Sequence, residues 1–465
     1  MRRLRSRVTP LALAVGVLTG CATVVPGFAS PVPGGAVDVP AGDFPITGVS
    51  DRSIDSFARN ALTDLTTFWS QAYPEHFGSE YTPLEGGYFS VDSDALDERA
   101  YPETGIGCAG SPTPPETVAD NAFYDPVCDS IAYDRALLDE LADDYGRFLV
   151  PVVMAHEFAH AMQARFGFAA SGRSIQDETQ ADCLAGAWTA WVAAGEAGHL
   201  SIRAPELDDV IRGFVLLRDD VGTDPEDGAA HGSLFDRVSA FYEGFDGGVA
   251  PCRDEFGEDR LFTQATFDPT EEASEGNAPY ASIVGWTGET LPLFWDWVFR
   301  LGLAADFDPP ALAAFDRTAP ACGRSGAEDH DLGFCGPDET VYYDEAELTR
   351  PAYEELGDFA VTTALSLPYA LAARAQADLS TDDAAATRSA VCLTGWYTAQ
   401  WFGGAFLDTL AVSLSPGDVD EAVQFLLTYG VADEVFPDVS ATGFELVGAF
   451  RQGFLEGGGA CDIGL

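Results

Sequence analysis

The chain has 465 residues, 46% of them hydrophobic, which supplies packed cores and exceeds the length of one ordinary domain. Acidic residues outnumber basic ones 75 to 24, every basic residue is Arg, and the net charge is −51. Such a surface repels phosphate backbones and anionic headgroups, which excludes electrostatic capture of nucleic acid or lipid; diffuse acidity of this kind reads as a solvated face, not a metal site.

The first predicted element is a targeting segment, residues 1–21. Arg2, Arg3, Arg5 and Arg7 precede a short apolar run from Leu11 to Leu18. The run ends in Leu18-Thr19-Gly20-Cys21, which resembles a bacterial lipoprotein signal with Cys21 as the lipid-modified residue. An ordinary signal peptide with an incidental Cys21 is the alternative. Residues 22–45 are rich in Pro, Gly, Val and Ala and read as a tether. No later apolar run is long enough to span a bilayer. The expectation is an extracytoplasmic protein held at the cell membrane by its lipid alone.

Further along, residues Ser130 to Tyr133 predict a strand that either pairs with an extended peptide or is plain sheet. The apolar stretch Phe148 to Phe166 predicts a helix with Pro151 in its first turn and Gly167 as its stop. Inside it stands His156-Glu157-Phe158-Ala159-His160. A spacing of four stacks the two imidazoles one turn apart on one face, within reach of a single ion. Glu157 beside them suits a general base that takes a proton from activated water. Two histidines packed against a pocket are the bland alternative. A second helix comes next, with Ser174-Ile175-Gln176-Asp177 resembling a capping box and Gly195 near its end. Glu178 and Asp182 lie four apart on one face of it, while Asp177 reads as a charge favoured by the helix dipole.

Three segments carry a resemblance to a known family: Ala155-His156-Glu157-Phe158-Ala159-His160, Glu178-Thr179-Gln180-Ala181-Asp182-Cys183-Leu184-Ala185-Gly186, and His231-Gly232-Ser233. They look like the bacterial neutral zinc metallopeptidases marked by a Glu-Leu-Gln-Ala-Asp-Cys motif. Ala122-Phe123-Tyr124…Tyr133-Asp134 is similar to another stretch of that family, although the cysteine falls later here, at Cys128. The likeness covers most of residues 46–260. It implies a zincin-like fold, zinc and peptidase-type chemistry. The gluzincin pattern it follows implies Glu178 as third zinc ligand and Asp182 as the group orienting a zinc-bound His. No particular substrate is named by it beyond a peptide or protein.

The chain also matches itself. Ala181 to Trp188 around Cys183 is echoed by Ala390 to Trp396 around Cys392, an offset of 209 residues. At that offset Phe235, Val238, Ala240, Phe241, Gly244, Phe245 and Cys252 meet Phe444, Val447, Ala449, Phe450, Gly453, Phe454 and Cys461. Gly146, Phe148 and Val150 match Gly357, Phe359 and Val361, and Cys128…Tyr133-Asp134 matches Cys335…Tyr343-Asp344. Phe68-Trp69 pairs more weakly with Phe294-Trp295. Two homologous halves are expected, 46–260 and 275–465. The shared spacing predicts disulfides Cys183–Cys252 and Cys392–Cys461, with Cys108–Cys128 and Cys322–Cys335 closing shorter loops, each worth about 2–4 kcal/mol.

In the second half the ligand positions read Leu367, Pro368 and Leu371 for His156, Glu157 and His160, and Thr387 and Val391 for Glu178 and Asp182. That half should bind no zinc and serve as scaffold or docking domain, leaving one zinc per chain. His231 is matched by Ser440; it either donates to the oxyanion of the transition state or merely starts a helix. His76, His199 and His330 read as surface or packing residues. The fold expected is helix-dominated α+β, a zincin-like domain followed by a degenerate repeat. The function expected is peptide hydrolysis by a zinc metallopeptidase. A cell-surface binding protein with structural zinc and a zinc amidase acting on cell-wall peptides are the rivals. Two His and a Glu beside a base fit catalysis better than the closed Cys and His sets of structural sites.

Overall fold

The computed structural model describes residues 37–465 apart from 51, 104, 109, 169–171, 258, 323–329, 433, 434, 436–440 and 465. The targeting segment with Cys21, the tether to residue 36 and Ser440 lie outside the described residues. None of the described helices is long and apolar enough to cross a membrane.

The fold is helix-dominated α+β, as expected. Its first half runs α1 (Ser53–Phe77), β1 (Gly87–Val91), β2 (Ile106–Cys108), β3 (Ser111–Thr113), β4 (Ala122–Asp125), β5 (Ser130–Asp134), α2 (Arg135–Tyr145), α3 (Leu149–Phe166), α4 (Ser174–Ala193), α5 (Ala204–Leu217), α6 (Leu234–Gly247) and α7 (Val249–Asp254). The second runs α8 (Tyr280–Val298), β6 (Ala311–Phe315), β7 (Leu332–Cys335), β8 (Thr340–Asp344), α9 (Arg350–Glu355), α10 (Asp358–Gln376), α11 (Ala384–Phe402), α12 (Leu407–Leu410), α13 (Asp418–Thr428) and α14 (Gly443–Glu456).

Each half has a three-stranded sheet of the same topology. β5 lies between parallel β1 and antiparallel β4, and β8 lies between parallel β6 and antiparallel β7. Asp134 and Asp344 end the central strands and cap the helical turn beyond each. Their carboxylates accept from the N–H groups of Ala136 at 3.0 Å and Ala346 at 2.8 Å. The weak sequence pair also has matching geometry. Phe68 meets Trp69 edge-on at 5.1 Å and 73°, and Phe294 meets Trp295 at 5.1 Å and 72°.

The tightest packing in both halves is between backbones. A Cβ on Gly186 would lie 2.0 Å from the Phe241 carbonyl oxygen, and one on Gly244 1.7 Å from that of Cys183. A Cβ on Gly395 or Gly453 would meet the Phe450 or Cys392 carbonyl oxygen at the same 2.0 and 1.7 Å. Only glycine lets α4 meet α6, and α11 meet α14, this closely. The disulfide Cys183–Cys252 ties α4 to α7, just after α6, and Cys392–Cys461 ties α11 to the segment just after α14; Cys108–Cys128 and Cys322–Cys335 also form.

The halves share one apolar core and cap one another. Asp208 on α5 accepts from the N–H groups of Gly443 and Phe444 at the head of α14, at 3.0 and 2.7 Å. Asp420 on α13 accepts from Leu234 and Phe235 at the head of α6, at 3.0 and 2.9 Å, and pairs with Arg218 at 2.8 Å. Carboxylates there satisfy orphan donors and complement the helix dipoles.

Three local expectations need correction, and the open choice at Ser130 to Tyr133 falls to plain sheet. Residues 37–45 do not hang free. Val39 is buried with its N–H on Asn60 Oδ1 at 2.9 Å, and the Val37 carbonyl is held by His199 Nδ1 at 2.8 Å. Ser174 is already helical and makes no cap; extended Arg173 occupies that position. Ser130 to Tyr133 is the buried central strand with both edges paired, so it has no free groups for a peptide. His231 lies in the loop before α6 and is not helical; Ser233 caps that helix through the Asp236 N–H at 3.1 Å.

Candidate metal centre

Helix α3 is apolar on nearly all sides and buried, so its polar residues face something specific. Pro151 sits in its first turn, and Gly167, at φ 107°, stops it by bonding back to the Gln163 carbonyl at 2.7 Å. His156 and His160 project toward α4, where Glu178 meets both. His156 Nε2 is 3.0 Å from Glu178 Oε2, His160 Nε2 is 3.5 Å from Oε1, and the two Nε2 atoms are 3.1 Å apart.

The neighbours fix which ring nitrogens carry hydrogen. Asp182 accepts a bidentate pair from Arg237, at 2.7 and 2.9 Å, and its Oδ1 lies 2.8 Å from His156 Nδ1. A carboxylate only accepts, so His156 Nδ1 donates. Gln163 Nε2 donates to the Asp177 carbonyl at 2.7 Å and to Gln180 Oε1 at 3.0 Å, which turns Gln163 Oε1 toward His160 Nδ1 at 2.7 Å. His160 Nδ1 therefore also donates. Both Nε2 atoms are left as lone pairs aimed at each other and at the Glu178 carboxylate. With both rings neutral these are three acceptors facing one another, a set that a metal cation, or a proton on His156, would hold together.

The donor set fits zinc. Bonds of about 2.0–2.2 Å at tetrahedral angles separate ligand atoms by about 3.3 Å, against 3.0, 3.1 and 3.5 Å here. Burial opposes charge on His156, yet Asp182 and Glu178 outweigh it and hold the ring up to about 10. The same opposition of burial and ion pairing leaves Glu178 well below the usual carboxylate range and Asp182 below it. All three shifts mark a site that attracts positive charge.

Glu157 is on the same helix, and its Oε2 accepts the N–H of Tyr124 on β4 at 2.9 Å. Burial pushes its carboxyl above the usual range, only partly offset by the two histidines. That N–H points away from β5, so the outer edge of β4 borders the site. Asn121 to Tyr124, His156, Glu157, His160, Glu178 and Arg237 line a cavity of about 790 Å³, walled by Leu137, Leu141, Val153 and Leu216. His231 lines it too, half-exposed, with its N–H on Asp219 Oδ2 at 2.7 Å and Nδ1 on Oδ1 at 3.2 Å. It lies outside the ligand cluster. His76 closes α1, and His199 and His330 take no part in the cluster.

Sequence reading missed Arg237, Gln163 and the β4 edge. The first had a signal: at the 209 offset Arg237 meets Leu446, lost together with Asp182. No family model matches this chain, and no curated protein or solved structure was found similar to it.

Proposed function

We propose that the chain is an exported zinc metallopeptidase built from a duplicated unit, with a zincin-like first copy at 46–260 and a second copy at 275–465 that has lost the centre. The observation that carries this reading is the convergence of His156 Nε2, His160 Nε2 and Glu178 on one point, beside Glu157 and an open cavity. When bound, zinc supplies the Lewis acidity that polarises a carbonyl and makes water nucleophilic near neutral pH.

The chain's own residues do the rest. Glu157, pinned by the Tyr124 N–H through Oε2, takes the proton of the attacking water and returns it to the leaving amine. Its raised pKa brings it nearer the operating range. Asp182 and Gln163 hold the two imidazoles with Nε2 inward, and Arg237 fixes Asp182. His231 can donate Nε2–H to the developing oxyanion when its ring is doubly protonated, since Nδ1–H is given to Asp219. An extended peptide adds to the outer edge of β4, with apolar side chains against Leu137 and Leu216. A lipid on Cys21 would hold the enzyme at the membrane.

Elemental analysis of the mature protein beside a His160→Ala variant tests the reading. One zinc per chain, absent from the variant, together with cleavage of a fluorogenic peptide library, is the expected outcome. No zinc after reconstitution sinks it, and turnover of cell-wall fragments but not peptides would change the substrate class.

A further inference from the structure

A second cluster of ionisable groups stands in the other half. Asp358 opens α10, and Asp418 and Glu421 lie in the first turn of α13. All three are buried, and one carboxylate oxygen of each lies within 4.8 Å of the others. Among the described residues no Arg or His forms an ion pair with any of them. Their neighbour Asp420, by contrast, has Arg218 at 2.8 Å.

Backbone donors orient the three without neutralising them. Ala278 N–H meets Asp358 Oδ2 at 2.7 Å, Ser415 N–H meets Asp418 Oδ2 at 2.8 Å, and Phe359 N–H meets Glu421 Oε2 at 2.7 Å. Asp358 is 4% exposed, and its Oδ1 is buried with no hydrogen-bond partner. An orphaned carboxylate oxygen inside a group of three desolvated acids is costly unless positive charge joins it. Gly357, at φ 126°, lets Glu421 close in, since a Cβ there would lie 2.1 Å from Oε1. A cavity of about 260 Å³ opens onto Asp358 and Asp418 with Glu271 on its wall, a route for a hydrated ion.

Every donor is oxygen, which favours hard cations over those that prefer nitrogen or sulfur. We propose that Asp358, Asp418 and Glu421 bind a calcium-type divalent cation, with water from the cavity completing its shell. Such an ion ties the start of α10 to α13. Because Asp420 of α13 also caps α6, the ion braces the contact between the halves.

Terbium is the probe, because Trp286 and Trp401 line the same cavity and can sensitise its emission. Chelator-treated full-length mature protein should show saturable emission at one ion per chain, displaced by Ca²⁺ and not by equal Zn²⁺. Ca²⁺ should raise Tm by on the order of 5 °C. Asp418→Asn should lose both effects and keep its zinc. The exposed control Glu347→Gln should behave as wild type, which guards against loose ions drawn by the acidic surface. No saturable emission in the wild type, or equal emission and Tm gain in Asp418→Asn, overturns the proposal and leaves the carboxylates neutralised by shared protons. Should Asp418→Asn fail to fold, Asp358→Asn reads the same loss, and the wild-type displacement curve decides in either case.

Discussion

Helices α3 and α4 and helices α10 and α11 stand in the same frame and differ in what fills the space between them. Where the first pair has His156, His160, Asp182 and, from α6, Arg237, the second has Leu367, Leu371, Val391 and Leu446, all buried. Pro368 stands for Glu157 and has no group to accept a proton. Arg374 stands for Gln163; it bonds Ser389 Oγ at 2.6 Å, and Ser389 reaches the Cys461 carbonyl as Gln180 reaches that of Cys252. A guanidinium beside the ligand positions repels a second cation. The lesson is about cost. Glycine contacts, disulfides and apolar faces hold both pairs together. Only the first pair gathers a cluster of His, Asp, Glu and Arg charges between its helices, an arrangement that hydrophobic replacement commonly leaves as stable or more so.

The largest effect should come from the base. Glu157→Gln is expected to cut peptide turnover by about 10³-fold with zinc content unchanged, read by steady-state kinetics beside elemental analysis. Undiminished turnover would remove Glu157 from the mechanism. Next come the shared contacts. Gly244→Ala and Gly453→Ala should each cost about 3 kcal/mol in urea unfolding, and a cost confined to one half would break the likeness. Arg237→Leu puts the second half's residue at this position and leaves Asp182 with His156 alone. Zinc affinity, measured against a chromophoric chelator, should fall about 10–100-fold.

The smallest effect is an acid-sensitive one. Burial pushes Asp129 up, but the Glu85 N–H and Arg165, at 3.0 Å, outweigh it and hold the carboxyl below its usual range. Its stabilisation is therefore present above the ordinary carboxylate pKa of about 3.9 and lost as pH falls through the lowered value. The equivalent of Arg165 is Gln376, which bonds Asp308 instead. Arg165→Gln should cost about 1 kcal/mol at pH 7, a gap that closes on acidification; a gap that persists in acid would assign the loss to packing.

What was legible in the sequence was local or repeated. A four-residue spacing placed His156 with His160, and Glu178 with Asp182, because helix geometry converts spacing into a face. Identical cysteine spacing in the two halves paired Cys183 with Cys252 and Cys392 with Cys461. What stayed hidden depends on distant contacts. Arg237 reaches Asp182 from another helix, and Asp358 meets Asp418 and Glu421 only because α10 and α13 start side by side. The choice between an exposed and a plain strand at Ser130 to Tyr133 stayed open for a similar reason. Alternation identifies a strand, but its place at the edge or centre depends on partners far along the chain.

The crossed capping has one more consequence. Asp208 serves the second half and Asp420 the first, so each half supplies what a partner subunit supplies in a two-fold dimer. Two separate chains would fall apart on dilution. Joined through residues 261–274, the partners keep a high effective concentration whatever the protein's abundance. That permanence would let the second half lose the His and Glu set of the first while still capping it.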